Sequence, residues 1–159
     1  MNHPAVDRVE AALKAAGWSG EVRWLDDSAK TAPEAAAALG IEVGAIANSL
    51  VFTLDGAPLL VMTSGAHRVD TVWLGEQLGG TIKRADADFV KQATGQVIGG
   101  VAPIGHPEPL RTVVDEQLAA FPEIWAAAGH AHTVFPLTFD ELVRVTGATV
   151  SAVEPGQQA

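Results

Sequence analysis

At 159 residues with a formal net charge of −9, the chain has the length of one ordinary domain and the wrong sign for a general nucleic-acid binder, whose phosphate contacts need clustered Lys and Arg. Hydrophobic residues make up 48% and charged residues 18%, which suits a packed core and argues against a disordered chain. The absence of cysteine excludes disulfides, a thiolate nucleophile and cysteine-ligated zinc together, so any catalysis falls to oxygen, nitrogen or backbone groups.

The elements follow in chain order. Val6, Val9, Leu13 and Ala16 stand at helical spacing and Gly17 follows, which predicts a helix over residues 4 to 16. "EVRWL" reads as a short strand. "TAPEAAAALG" begins with Thr31 three residues before Glu34, a capping box, and ends on Gly40, which predicts a second helix. "NSLVFTL" and "PLLVMT" flank "DGA" and predict a hairpin of two largely buried strands over 48 to 62. Asp70 caps a helix running through Leu78, "TIKRA" returns to extended structure, and Asp86 caps a helix that runs to Thr94 and stops at Gly95.

"QVIGGVAPIGHPEPLR" comes next, with three glycines, three prolines and a histidine in sixteen residues, too many breakers for a helix or a central strand. It is a shaped loop. "LRTVVD", "IWAAAG" and "HTVFPL" are strand-like, Thr138 caps a helix through Val145, and "TVSAV" is a last strand before a polar tail at 154–159. The expected fold is one mixed α/β domain over 1–159, with a largely antiparallel sheet and flanking helices. No run approaches the roughly 18 to 20 apolar residues of a membrane span, and "MNHPAVDRVEAALKAAG" lacks the basic-then-apolar order of a signal peptide, so the expectation is a cytoplasmic protein with no membrane partner. A Gly-rich lysine loop, a G-x-S-x-G elbow and a dinucleotide fingerprint are all missing.

Charge is uneven along the chain. Residues 68 to 111 balance five acids with five bases, whereas both flanks are acidic, and this third contains the breaker-rich loop. Arg68, Lys83, Arg84, Lys91 and Arg111 either form a local basic rim or are ordinary solvated surface.

His106, between Gly105 and Pro107, is either held toward a cleft or anchors its own loop. His130 and His132 share a face of an extended strand, but no third ligand of recognised spacing joins them, so a metal site is not expected. Gly99 and Gly100 let backbone approach a ligand closely and point N–H groups at a carbonyl oxygen, although a plain turn uses the same residues.

Taken in order, "TAPEAAAALGIEVGAIANSLVF", "LLVMTSGAHRVD", "RADADFVKQATGQVIGGVAPIGH" and "AAGHAHTVFPLTFDELVRVTGA" resemble the YbaK/ProX-type aminoacyl-tRNA deacylases, freestanding relatives of the editing domain of bacterial prolyl-tRNA synthetases, over about residues 28 to 150. The resemblance implies hydrolysis of the ester in a mischarged aminoacyl-tRNA, without metal or redox cofactor and with the ribose hydroxyl of the tRNA assisting water. It assigns catalysis to Gly99, Gly100 and His106, and substrate binding to Asn48, Ser49, Gly65, Pro103, Gly129 and His130. The residues from Gly99 to Pro103 match the Gly-x-x-x-Pro segment that positions the substrate carbonyl. Asn48 stands where the family usually carries lysine, so this chain lacks a cation at that point. A synthetase partner that delivers the tRNA is compatible with the acidic net charge. A non-catalytic relative that binds an amino acid, a nucleotide or a synthetase through the same pocket is the second reading.

Overall fold

The structure, a computed structural model, describes residues 3–26 and 31–156. The last three residues of the expected polar tail, and residues 28–30 at the start of the family resemblance, lie outside the described residues.

Helix α1 (Pro4–Ala15) buries Val6, Val9 and Leu13 on one stripe, and Gly17 follows it with φ 94°. A short strand β1 (Arg23–Trp24) leads to α2 (Ala32–Leu39), where the Thr31 hydroxyl accepts from Glu34 N and the Glu34 carboxylate accepts from Thr31 N. A 3-10 turn (Val43–Ala45) precedes the hairpin of β2 (Ala47–Leu54) and β3 (Ala57–Ser64). Asp55 and Gly56 both have positive φ, 50° and 87°, as the tight two-residue turn of a right-twisted hairpin requires. Asp70 and Asp86 cap α3 (Thr71–Leu78) and α4 (Ala87–Thr94), with β4 (Ile82–Arg84) between them. After the breaker-rich loop come β5 (Arg111–Asp115), a second 3-10 turn, β6 (Ile124–Ala127), β7 (Thr133–Leu137), α5 (Phe139–Thr146) and β8 (Thr149–Ser151).

The described strands form a five-stranded sheet in the order β4-β2-β3-β5-β8 and a three-stranded sheet in the order β1-β7-β6. The hairpin is antiparallel, as its turn dictates, and so are β2 with β4, β1 with β7, and β6 with β7. The β3–β5 and β5–β8 pairs are parallel, so the larger sheet is mixed. Both faces of β3 and β5 are covered: Leu60, Met62 and Val114 join the α1 side of the core, while Leu59, Val61 and Val113 join a second cluster with Leu74. Burial on both faces explains why these strands read as continuous apolar runs rather than as alternation. Among the described residues no helix is long and apolar enough to cross a membrane.

One mismatch of strand lengths positions the site. Strand β4 pairs only with residues 52–54 of β2, leaving 47–51 without a strand neighbour on that edge among the described residues. Strand β6 of the smaller sheet stands opposite, joined to this edge by a parallel bridge between Ile46 and Trp125.

Candidate active site

A cleft of about 520 Å³ lies between the start of β2 and β6. One wall is Ile46 and residues 47–50 of β2, another is Trp125, Ala126 and Ala127 of β6, and α2 closes a third side through Ala32, Pro33 and Ala35. Gly65 lines it from the end of β3, and Ile98, Gly99 and Val101 line it from the breaker-rich loop. No charged side chain lines the cleft among the described residues.

The loop is held from inside. Gln96, 1% exposed, accepts Ala102 N–H on Oε1 at 2.6 Å and donates Nε2–H to Ile104 O at 3.3 Å. On its other side Ala102 O takes the His106 Nε2–H at 2.8 Å, which fixes the proton on Nε2 because a carbonyl can only accept. Burial lowers the His106 pKa, partly opposed by this hydrogen bond, so the ring is held neutral. Thr94 completes the brace, with its hydroxyl accepting Gln96 N–H at 3.0 Å.

Between these fixtures, Gly100 N–H donates to Val97 O at 3.0 Å and closes a four-residue turn with Gly99 at its third position, φ 90°. That conformation suits glycine and strains any other L residue. Gly100 O accepts Gly129 N–H at 2.8 Å, and a Cβ on Gly100 would meet the His130 backbone at 2.7 Å. Both peptide groups of Gly100 are therefore engaged within the protein. The N–H groups of Gly99 and Val101 donate no hydrogen bond among the described residues, and both residues face the cleft. Val101 carries no sequence signal for such a role, since any side chain can follow the turn.

Of the residues singled out from the sequence, Asn48, Ser49, Gly65 and Gly99 line the cleft together. Asn48 makes no side-chain hydrogen bond among the described residues, leaving its amide available, whereas Ser49 Oγ lies 3.1 Å from the Met62 sulfur, a weak acceptor. Pro103 is buried behind the loop and His106 is turned onto Ala102. Gly129, φ 105°, sits against Ala5 of α1. His130 packs in a ring cluster with His3, Trp24 and His132, at centroid distances of 4.8, 5.2 and 5.5 Å. Burial, and then the neighbouring His3 and His132, lower the His130 pKa. Neither His106 nor His130 lines the cleft, and no group of three His, Asp or Glu residues able to hold a metal occurs among the described residues.

Sequence reading missed one hub. Asp115, with 0% exposure, accepts from Ser64 N at 2.9 Å and Thr63 Oγ1 at 3.2 Å, and lies 2.9 Å from His67 Nδ1. These bonds fix the end of β3 just before Gly65. A Cβ on Gly65 would collide with Val43 O and Ala32, so glycine is needed for α2 to approach so closely.

The family described as the aminoacyl-tRNA editing domain matches residues 26–145, which include every residue of this cleft. The chain belongs to that family. The chain also resembles solved structures over more than nine-tenths of its length. A protein described as a candidate trans-editing enzyme for prolyl-tRNA synthetase superposes with TM-score 0.91 at 39% identity, covering 98% of this chain and 100% of that one. The protein APE2540 superposes with TM-score 0.84 at 29% identity, over 92% and 98% of the two chains. YwhH of Bacillus subtilis (strain 168) is 28% identical over 79% of this chain and 82% of its own. A proline–tRNA ligase of Bacillus licheniformis is 32% identical over 78% of this chain, but the match spans only 22% of the ligase.

Proposed function

We propose that the protein hydrolyses the ester of a mischarged aminoacyl-tRNA as a freestanding editing deacylase. The observation that carries this reading is the pair of N–H groups, Gly99 and Val101, that donate no hydrogen bond among the described residues, on a braced turn lining a cleft to which no described residue brings a charge. Two such donors suit the oxygen of an ester carbonyl, and they suit it better as it becomes an oxyanion, because the turn requires no reorganisation when charge develops. An oxyanion donor of this kind is typically worth about a hundredfold to a thousandfold in turnover.

Among the described residues, the side chains lining the cleft offer hydroxyls and an amide but no titratable base. Proton removal from the attacking water therefore falls to the substrate, where the neighbouring ribose hydroxyl is in reach, and the protein contributes position and polarisation. An ester is activated enough for that division of labour. The apolar lining suits an amino acid with an uncharged side chain, with the Asn48 amide available as a further donor or acceptor. Neither metal nor redox cofactor has a part in this scheme.

A panel of tRNAs, each charged with a wrong amino acid, tests the reading. At least one should lose its amino acid faster with the protein than without, in the presence of chelator. Binding of charged tRNA with no release from any member would support the non-catalytic alternative instead.

A further inference from the structure

Asp115 is the one fully buried acid among the described residues, and the scheme above gives it no part. It ends β5, whose ladder with β3 stops at Met62 opposite Val114. Strand β3 runs on through Thr63 and Ser64, which pair on its other edge with Asn48 and Ala47 of the cleft wall. The Asp115 side chain stands in for the missing rungs. Its Oδ2 accepts from Ser64 N at 2.9 Å and from Thr63 Oγ1 at 3.2 Å, while Oδ1 accepts from Gln117 N at 3.0 Å. Both oxygens accept, which suits a carboxylate and not an amide.

The carboxylate reaches the cleft through Ser64. With its N–H on Asp115, Ser64 commits its hydroxyl to Gly44 O at 2.7 Å, and the next N–H, that of Gly65, goes to Ile46 O at 2.9 Å. Gly65, Ile46 and Ala32 all line the cleft, and Val43 O and Ala32 fill the space that a Cβ on Gly65 would take. Close packing of this kind passes a displacement on rather than absorbing it. A shift of Ser64 therefore moves the cleft wall.

His67 steadies the carboxylate in turn. Its Nδ1–H donates to Oδ2 at 2.9 Å, and its backbone N–H donates to Ser64 O at 2.9 Å, so one short turn grips Ser64 at both peptide groups. The His67 side chain is 16% exposed and is not among the residues lining the cleft.

Resting on the deacylase reading, we propose that His67 and Asp115 are positioning residues for the choice of acyl group. They hold Ser64, and through it the Gly65 wall, so that the cleft keeps one width against side chains of different size. A fixed apolar pocket separates substrates that differ by a methylene about tenfold to two-hundredfold, and a wall that yields loses part of that separation.

The test uses adenosine analogues in which alanine, valine or leucine is joined to the 3′ position by an amide, so that binding is read without hydrolysis. Calorimetry should separate at least two of them by about tenfold in the parent. His67→Ala should shrink that ratio about threefold or more, and His67→Asn, whose amide N–H takes the place of Nδ1–H, should restore most of it. Melting temperatures are measured beside the affinities. A brace that serves stability alone would lower the melting temperature of His67→Ala and leave the ratio intact, which would overturn the proposal. So would a His67→Asn variant no better than His67→Ala, or a parent that binds the three analogues equally or not at all. A ratio that follows His67, in a protein that deacylates no member of the tRNA panel, would defeat the hydrolytic reading and leave the positioning role standing. Deacylation with a ratio indifferent to His67 would do the reverse.

Discussion

Gln96 Oε1 and Ala102 N lie 2.6 Å apart in the interior, and through this contact the side chain at the start of the breaker-rich loop sets the backbone six residues on. The glycines and prolines allow the loop its path, and Gln96 selects one path from those allowed. Replacing Gln96 by Ala would leave the buried Ala102 N–H and the part-buried Ile104 C=O without their partner. The expected cost is about 2 to 4 kcal/mol in denaturant unfolding, with deacylation reduced in the protein that remains folded. Gln96→Glu keeps the acceptor but buries a carboxylate with one oxygen against Ile104 O, so at neutral pH it should destabilise at least as much as Gln96→Ala and recover part of that loss as the pH falls and the carboxyl regains a proton to donate.

His106 makes the loop sensitive to acid. Its folded-state pKa lies below the ordinary value because the ring is buried, so below about pH 6.5 the unfolded chain takes up a proton that the folded chain refuses. The stabilisation is complete above that pH and declines as the pH falls through it. His106→Gln can still donate to Ala102 O but cannot titrate, so its melting temperature should drop less than the parent's between about pH 7 and pH 5. Equal drops would remove His106 from the acid sensitivity.

Gly99 and Gly100 should fail differently. At Gly99 a Cβ is strained by the positive φ, costing about 1 kcal/mol or more, and it also shifts the backbone of a residue that lines the cleft, so turnover should fall by more than stability explains. At Gly100 a Cβ meets the His130 backbone, so Gly100→Ala should chiefly lower the unfolding free energy, by about 1 to 3 kcal/mol. Turnover per folded molecule, measured beside unfolding for each variant, separates the two.

Much of this architecture is written locally. The capping pairs Thr31 with Glu34 and Thr138 with Glu141, the Asp70 and Asp86 caps, and the Asp55–Gly56 turn each depend on residues a few positions apart, and each element begins where they place it. The parallel β3–β5 pairing joins residues about fifty positions apart and has no local signature, so a mixed sheet could not be told from an antiparallel one. The same holds for the site. The glycine loop announces itself by composition, but the bond from Gln96 to Ala102, the Asp115 hub and the placement of Trp125 opposite Ile46 depend on how distant segments meet. His106 and His130 are conspicuous in the sequence because histidines so often act in chemistry, and the structure turns one onto a backbone carbonyl and the other into a ring cluster.

Asn48 gives a test of the cleft that bypasses the loop. Because its side chain makes no hydrogen bond among the described residues, Asn48→Ala should leave the melting temperature within the scatter of surface changes, about 0.5 kcal/mol. It should weaken charged-tRNA binding by roughly 0.5 to 1.5 kcal/mol, the value of one neutral hydrogen bond. Asn48→Lys should tighten binding by about 1 kcal/mol and steepen its salt dependence. Unchanged affinity in both variants would take Asn48 out of the substrate's path.

The central claim is that the turn at Gly99 polarises an ester carbonyl without help from a protein base. Single-turnover deacylation of a responsive mischarged tRNA, followed in chelator from about pH 6 to 8.5 for the parent, His106→Gln and Gly99→Ala, tests it most directly. The account predicts a parental rate that rises smoothly with pH and shows no histidine inflection, a parallel profile for His106→Gln, and a rate at least tenfold lower for Gly99→Ala at every pH. A parental profile that bends near a histidine pKa and is lost in His106→Gln, or a folded Gly99→Ala variant that cleaves at the parental rate, would contradict it.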